Sequence, residues 1–148
     1  MRRNRLWSLM SKHTNIGECP NCKDKLALAH PMLQDWFKKR KALTQELHIS
    51  WSFRDRASQE AMFNEKPQAT KLHFPNSAHN KTPALALDLF MLDADGQAQF
   101  PQLMYAKINE LNEADNDPII WGGTFKSIGD SDHFQVDLSK LPPTLEAA

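Results

Sequence analysis

From Pro31 onward the apolar residues recur near the helical period, as Leu33, Trp36, Phe37, Leu43 and Leu47, with Lys38 to Lys41 on the opposite side. Pro31 suits a first helical turn, where a missing N–H costs nothing, so the spacing predicts a helix over 31–46. The period then switches to two. Ile49, Trp51 and Phe53 point one way and His48, Ser50, Ser52 and Arg54 the other, which is a strand with one polar face. Helical spacing returns over 57–65, and residues 66–76, with two prolines and little periodicity, read as a loop. Residues 84–92 form an apolar segment of strand length, with Leu85, Leu87 and Leu89 on one face and Ala84, Ala86 and Asp88 on the other. Asp95-Gly96 signals a hairpin turn, Pro101 opens a third helix through Met104, Ile108 and Leu111, and 119–121 and 133–138 read as a closing strand pair. Strands and helices in this irregular order predict an α+β fold, with helices flanking a small, mainly antiparallel sheet.

Composition narrows the picture. A chain of 148 residues, 41% hydrophobic and 24% charged, suits one domain. At that size folding buries roughly 68–70% of the unfolded surface, so a metal is not needed merely to fold, and one found here would call for a functional explanation. Eighteen basic residues balance eighteen acidic ones, which argues against nucleic acid as a partner. The apolar runs around Asp88 fall far short of the roughly 20 residues of a membrane span, so a soluble protein without membrane insertion is expected. Arg2, Arg3 and Arg5 imitate the start of a signal peptide, but Leu6 to Met10 is too short for its apolar region, and no export signal is read.

Residues 1–25 read as an N-terminal extension carrying Cys19-Pro-Asn-Cys22, with 26–148 as the single folded domain and 139–148 loose. That cysteine pair supplies half of a four-ligand structural zinc set, and His13 and His30 complete it on paper. No second Cys-x-x-Cys exists, so a surface knuckle with reduced thiols or a local disulfide is the expectation. A thioredoxin-like role is disfavoured, because the pair precedes the first clear helix with no strand before it.

The chemistry gathers elsewhere. An aspartate in an apolar strand costs on the order of several kcal/mol to desolvate unless it is paired, hydrogen-bonded or metal-bound, so Asp88 needs a partner. His79 lies just upstream, on a loop that a turn at 81–83 can fold back beside the carboxylate. His133 shares a strand face with Gln135 while Phe134 and Val136 face the core. Two imidazoles and a carboxylate make a three-ligand zinc site with a fourth position open to water, the arrangement of catalytic zinc. Zinc brings the pKa of bound water from about 15.7 toward about 7, and Asp130, three residues before His133, is the candidate general base that accepts its proton. Asp132 competes for that role, but its place beside His133 is expected to turn it to the opposite face. Each residue also has an ordinary explanation: Asp88 paired to an arginine, His79 exposed, His133 a satisfied strand histidine. Trp121 and Phe125, around Gly122-Gly123, either wall the cleft or pack in the core. Asp93 and Asp95 miss the spacing of a calcium loop. His48 and His73 are expected to be exposed or bonded to backbone and stay outside the ligand set.

The segment Ser77-Ala-His79-Asn-Lys-Thr-Pro-Ala-Leu-Ala-Leu-Asp88 resembles the Ser-x-His...Ala-x-Asp signature of zinc D-alanyl-D-alanine carboxypeptidases and phage L-alanyl-D-glutamate endopeptidases. The segment Trp121-Gly-Gly-Thr-Phe125-Lys-Ser127...Asp130-Ser-Asp132-His133-Phe-Gln135 is similar to the second signature of that family, in its phage endolysin branch. Ser52-Phe-Arg54...Gln59 resembles its arginine-bearing strand and following helix. The resemblance spans about residues 30 to 138 and leaves the cysteine pair outside. It implies a DD-peptidase or hedgehog-like fold with one zinc ion on His79, Asp88 and His133, and with Asp130 as catalytic acid/base. It further implies substrate-binding roles for Arg54, Ser77 and Gln59. Eight residues separate His79 from Asp88, more than the common family spacing, and an aspartate at 130 replaces the glutamate of the carboxypeptidase branch, which favours the endolysin-like branch.

The implied function is hydrolysis of a bond in the peptidoglycan stem peptide, as an L-alanyl-D-glutamate endopeptidase. Such an enzyme is expected to be a monomer that accumulates in the cytoplasm of the infected bacterium and meets the wall after release. The alternatives are a D-alanyl-D-alanine carboxypeptidase and a non-catalytic zinc-binding module that recognises wall peptides. On Arg54 two readings stay open: it holds a substrate carboxylate, or it forms a buried salt bridge to Asp88.

Overall fold

The computed structural model describes residues 20–43, 46–124 and 131–141. In chain order these form α1 (Pro20–Ala27), α2 (Pro31–Leu43), β1 (Leu47–Trp51), α3 (Arg56–Phe63), β2 (Ala86–Leu92), β3 (Ala98–Gln99), α4 (Gln102–Ala114), β4 (Ile119–Trp121) and β5 (His133–Val136), with short 3-10 turns at Ala78–Asn80, Gly122–Thr124 and Leu138–Lys140. The strands make one antiparallel sheet in the order β1-β2-β5-β4, and the short β3 also pairs with β2. This is the α+β architecture expected, a small antiparallel sheet flanked by helices.

Alternation along the strands divides the sheet into two chemically different faces. Leu47 and Ile49 of β1, Leu87 and Leu89 of β2, and Phe134 and Val136 of β5 lie on one face. They pack with Leu33, Trp36 and Phe37 of α2 and with Tyr105 and Ile108 of α4 into the main core. A fully buried side chain such as Phe134 contributes about 2–3 kcal/mol relative to leaving it in water. The opposite parity in β2 and β5 carries Asp88, His133 and Gln135. The register sets Asp88 directly across from His133, and Ala86 across from Gln135.

β1 departs from simple alternation. Its register with β2 slips between Ile49 and Trp51, so that Trp51 pairs with Asp88 after Ile49 has paired with Leu89. An extra residue of this kind reverses the facing of the residues after it. Trp51 therefore leaves the core face on which the alternation placed it, and the strand ends there instead of running on to Arg54. Three further features depart from the sequence pattern. Residues 20–27, assigned to the extension or its edge, include helix α1, which docks on β1 through buried Cys22 and Leu26 and through Lys25 Nζ donating to the Ile49 carbonyl at 3.2 Å. Arg40 and Lys41, expected on a solvated helix face, are 2% and 6% exposed. Lys41 Nζ donates to the Leu47 carbonyl at 2.6 Å, and Arg40 meets partners more than seventy residues away. Helix α2 ends at Leu43, short of residue 46. Among the described residues no helix is long and apolar enough to cross a membrane.

Candidate metal centre

The 3-10 turn that carries His79 is set by its own sequence. Ser77 caps it by accepting from His79 N at 3.2 Å, and Asn80 Oδ1 accepts from Ser77 N at 3.0 Å. The Asn80 amide also donates to the Arg54 carbonyl at 2.9 Å, while Arg54 N donates to the His79 carbonyl at 2.9 Å. The turn is thereby laced to the chain leaving β1. These bonds fold His79 back over the start of β2, where Asp88 stands opposite His133. All three side chains are buried, and one ligand atom from each lies within 4.8 Å of the others.

The orientations are specific. His79 Nδ1 donates to the Ser52 carbonyl at 2.7 Å, which leaves the lone pair of Nε2 facing Asp88. His133 Nε2 donates to Gln135 Oε1 at 2.9 Å, which leaves the lone pair of Nδ1 facing the same point. Asp88 Oδ2 accepts from Arg54 Nη2 at 3.1 Å, and Oδ1 turns toward the imidazoles. The three inward atoms stand 3.1 Å (His79 Nε2 to Asp88 Oδ1), 3.0 Å (His133 Nδ1 to Asp88 Oδ1) and 3.2 Å (His79 Nε2 to His133 Nδ1) apart. Acceptors so placed repel unless positive charge sits among them. Burial on its own would raise the Asp88 carboxyl, but positive charge on the imidazole side, carried by protons on His79 and His133 when no ion joins the three atoms, outweighs it and holds the carboxyl well below the usual carboxylate range. Atoms sharing one tetrahedral zinc at about 2.0–2.1 Å stand roughly 3.3–3.4 Å apart, so the observed triangle needs to open by only a few tenths of an ångström to hold such an ion. A nitrogen, nitrogen, oxygen set with its outward atoms already engaged fits a divalent metal of zinc's type.

Arg54 is 3% exposed and spans Asp88 and Gln59, donating from Nη1 to Gln59 Oε1 at 3.1 Å, with its guanidinium 4.9 Å from the Trp51 ring. The buried salt bridge to Asp88, one of the two readings open for it, is present. Gln59 is wholly buried and joins Arg54 to the loop after α3 by donating to the Leu72 carbonyl at 2.7 Å.

The triad forms the floor of a cleft of about 560 Å³ lined by Trp51, Met62, Leu72 and Phe100 and by Arg54, Thr70, Lys71, Ser77 and Asp132. Asp132 was expected to face away, yet it lines the same cleft as His133. It precedes β5, in a turn where strand alternation does not apply. Asp130 and Phe125 lie outside the described residues. Trp121 is absent from the cleft lining, packs against the core and donates from Nε1 to the Ser131 carbonyl at 2.7 Å. A Cβ at Gly123 would stand 2.3 Å from its ring, which is why glycine follows there. His73 is exposed and paired with Glu60 at 2.8 Å, whereas His48 is buried and faces sulfur, not backbone. Sequence reasoning did not single out the Ser52 carbonyl, Asn80 or Gln135 as supports. Only the adjacency of Asn80 to His79, and the i, i+2 relation of His133 to Gln135, signalled them.

No family model and no curated relative matches the chain by sequence. Its fold is similar to that of a crystal structure of an L-Ala D-Glu endopeptidase, ChiX, from Serratia marcescens, with a TM-score of 0.62 and 22% identity over 78% of this chain and 85% of that one. The likeness establishes a shared architecture.

Proposed function

We propose that the protein is a zinc-dependent peptidase that hydrolyses a bond of the peptidoglycan stem peptide, acting as an endolysin-type L-alanyl-D-glutamate endopeptidase. One observation carries this reading: three lone pairs, on His79 Nε2, Asp88 Oδ1 and His133 Nδ1, converge at the floor of an open cleft while every outward atom of the same side chains is hydrogen-bonded. The paired sequence signatures and a fold shared with a protein named as an L-Ala D-Glu endopeptidase support the choice of substrate.

His79, Asp88 and His133 would hold the zinc, which when bound would supply Lewis acidity to the scissile carbonyl and make water a competent nucleophile near neutral pH. Asp130 takes the proton from the attacking water onto its carboxylate and returns it to the departing amine nitrogen. Ser77 and Arg54, both at the cleft wall beside the ligands, orient the substrate. Gln59 serves behind them, fixing the Arg54 guanidinium.

Digestion of purified peptidoglycan followed by mass spectrometry tests the reading. A new amino terminus on D-glutamate, lost with a chelator and restored by zinc, is expected. Release of free D-alanine would instead identify a carboxypeptidase, and zinc-dependent retention of wall peptide without cleavage would identify a recognition module. Asp130→Ala is expected to lower turnover by about 10²–10⁴-fold; full activity in that variant overturns the assigned proton transfer.

A further inference from the structure

We propose that Lys71 receives the free α-carboxylate of the glutamate on the departing side of the scissile bond, so that the enzyme selects stems in which this group is ionised over stems in which it is a primary amide. The proposal rests on the peptidase reading and deepens it. In the stem peptide the chain leaves D-glutamate through its γ-carboxyl. The α-carboxylate is therefore free, on the same carbon that bears the departing nitrogen, and must lie in the cleft that holds the triad.

Charge in the cleft makes its reception a specific problem. Asp88 and Asp132 already line the space, and a further anion entering it is repelled unless a cation meets it. Besides the triad's imidazoles, the described lining residues include two basic side chains, Arg54 and Lys71. Arg54 is 3% exposed and directs Nη2 to Asp88 Oδ2 at 3.1 Å and Nη1 to Gln59 Oε1 at 3.1 Å, so its charge is largely balanced within the protein. Lys71 is exposed, and among the described residues it pairs with no carboxylate. A compact ammonium with three donors suits an anion that arrives from water, whereas a primary amide offers it an acceptor without charge.

The backbone under Lys71 is fixed from both sides. Gln59 Nε2 donates to Thr70 Oγ1 at 3.2 Å and to the Leu72 carbonyl at 2.7 Å, the residues immediately before and after it. The same side chain accepts at Oε1 from Asn80 Nδ2 at 3.2 Å, in the turn that carries His79. One buried amide thus ties the base of Lys71 to Arg54 and to the turn of a metal ligand, which holds the lysine in register with the centre.

Two synthetic ligands test the assignment: L-alanyl-γ-D-glutamyl-L-lysine, and the same tripeptide with the glutamate α-carboxyl as its primary amide. Calorimetry on the chelator-treated full chain reads binding without turnover. The wild type is expected to bind the acid about 3–10-fold more tightly than the amide, and Lys71→Met to bring that ratio to about one. Lys71→Arg, which keeps the charge, should restore most of the preference. In the zinc-loaded protein the ratio of kcat/KM for the two tripeptides should move in parallel. A wild-type ratio near one, or a ratio that Lys71→Met leaves intact, overturns the role of Lys71 while cleavage of either ligand keeps the peptidase reading standing. Failure of the zinc-loaded wild type to cleave either tripeptide or purified peptidoglycan would overturn that reading, and this proposal with it.

Discussion

Two buried polar clusters sit on opposite sides of the sheet's logic. In the first, Arg40 donates from Nε to Asn112 Oδ1 at 3.0 Å and from Nη2 to Asp115 Oδ2 at 2.9 Å and to Asp117, while Trp36 Nε1 also donates to Asn112 Oδ1, at 2.7 Å. Donors there meet acceptors and a permanent cation meets two carboxylates. In the second, His79, Asp88 and His133 spend their donors outward and turn acceptors toward one another. The first cluster supplies its own cation as folded and ties α2 to the end of α4, with the Asn112 amide nitrogen left without a partner among the described residues. The second calls for a cation that the chain does not itself place at its centre, since Arg54 reaches only the far oxygen of Asp88. Burial and charge are common to both; the direction of the lone pairs separates a brace from a socket.

The sharpest way to break that contrast is to remove an inward atom. His79→Ala is expected to lose the zinc of this centre and all measurable peptidase activity, while circular dichroism at room temperature stays native. Zinc content and peptidoglycan turnover check it. Retained zinc and turnover would mean that the converging lone pairs are not the socket.

Removing the brace should do the reverse. Arg40→Met leaves Asp117 with Lys39 alone and the buried Asn112 oxygen with Trp36 alone, which is expected to cost about 2–3 kcal/mol, below the usual range for a broken buried pair because Asp115 is half in water and Lys39 still reaches Asp117. Urea unfolding measures this. Zinc bound per folded molecule should not change, and a parallel loss of zinc would erase the distinction between the clusters.

The same contrast explains which features were legible in the chain. Asp88 announced itself because a charge in an apolar strand is locally anomalous, and His133 because Phe134 and Val136 fixed its parity. His79 emerged from the turn before the strand. Arg40 was invisible as a buried residue, since its partners Asp115 and Asp117 lie far along the chain and its own neighbours, Lys38 to Lys41, read as a solvated face. Asp132 was misassigned because alternation was extended one residue beyond the strand, and Trp51 because a bulge leaves no mark in hydrophobic pattern. Helix α1 was missed for a different reason: it is short and polar, and two of its few apolar anchors, Cys22 and Leu26, were read as motif and as boundary.

A smaller effect is expected one step behind the ligands. Gln135→Leu keeps volume on β5 but removes the acceptor that holds His133 Nε2–H, freeing the ring to turn its Nδ1 away from the shared point. Zinc affinity should fall by about 10–100-fold, with stability little changed. Competition with a chromophoric chelator reads the affinity, and Gln135→Glu, which keeps an acceptor, should restore most of it. An unaltered affinity in Gln135→Leu would show that the tautomer is set some other way.

The gentlest probe is acid, applied to the brace. The hydrogen bonds from Arg40 and then Lys39 hold the Asp115 carboxyl below its ordinary value of 3.8. Its folded pKa is lower than its unfolded one, so the unfolded chain binds the proton more readily. The pair's contribution is therefore present in full above about pH 3.8 and drains away as the pH falls toward the folded value. Asp115→Asn should accordingly melt slightly below the wild type at neutral pH. The gap should close progressively below about pH 4, where the wild-type side chain becomes an uncharged acid much like the asparagine. Melting both proteins with chelator present keeps any metal bound at the other cluster from entering the difference. A gap that stays constant down to the lowest pH at which both fold would mean that Asp115 serves the brace by shape and hydrogen bonding, with its charge contributing nothing.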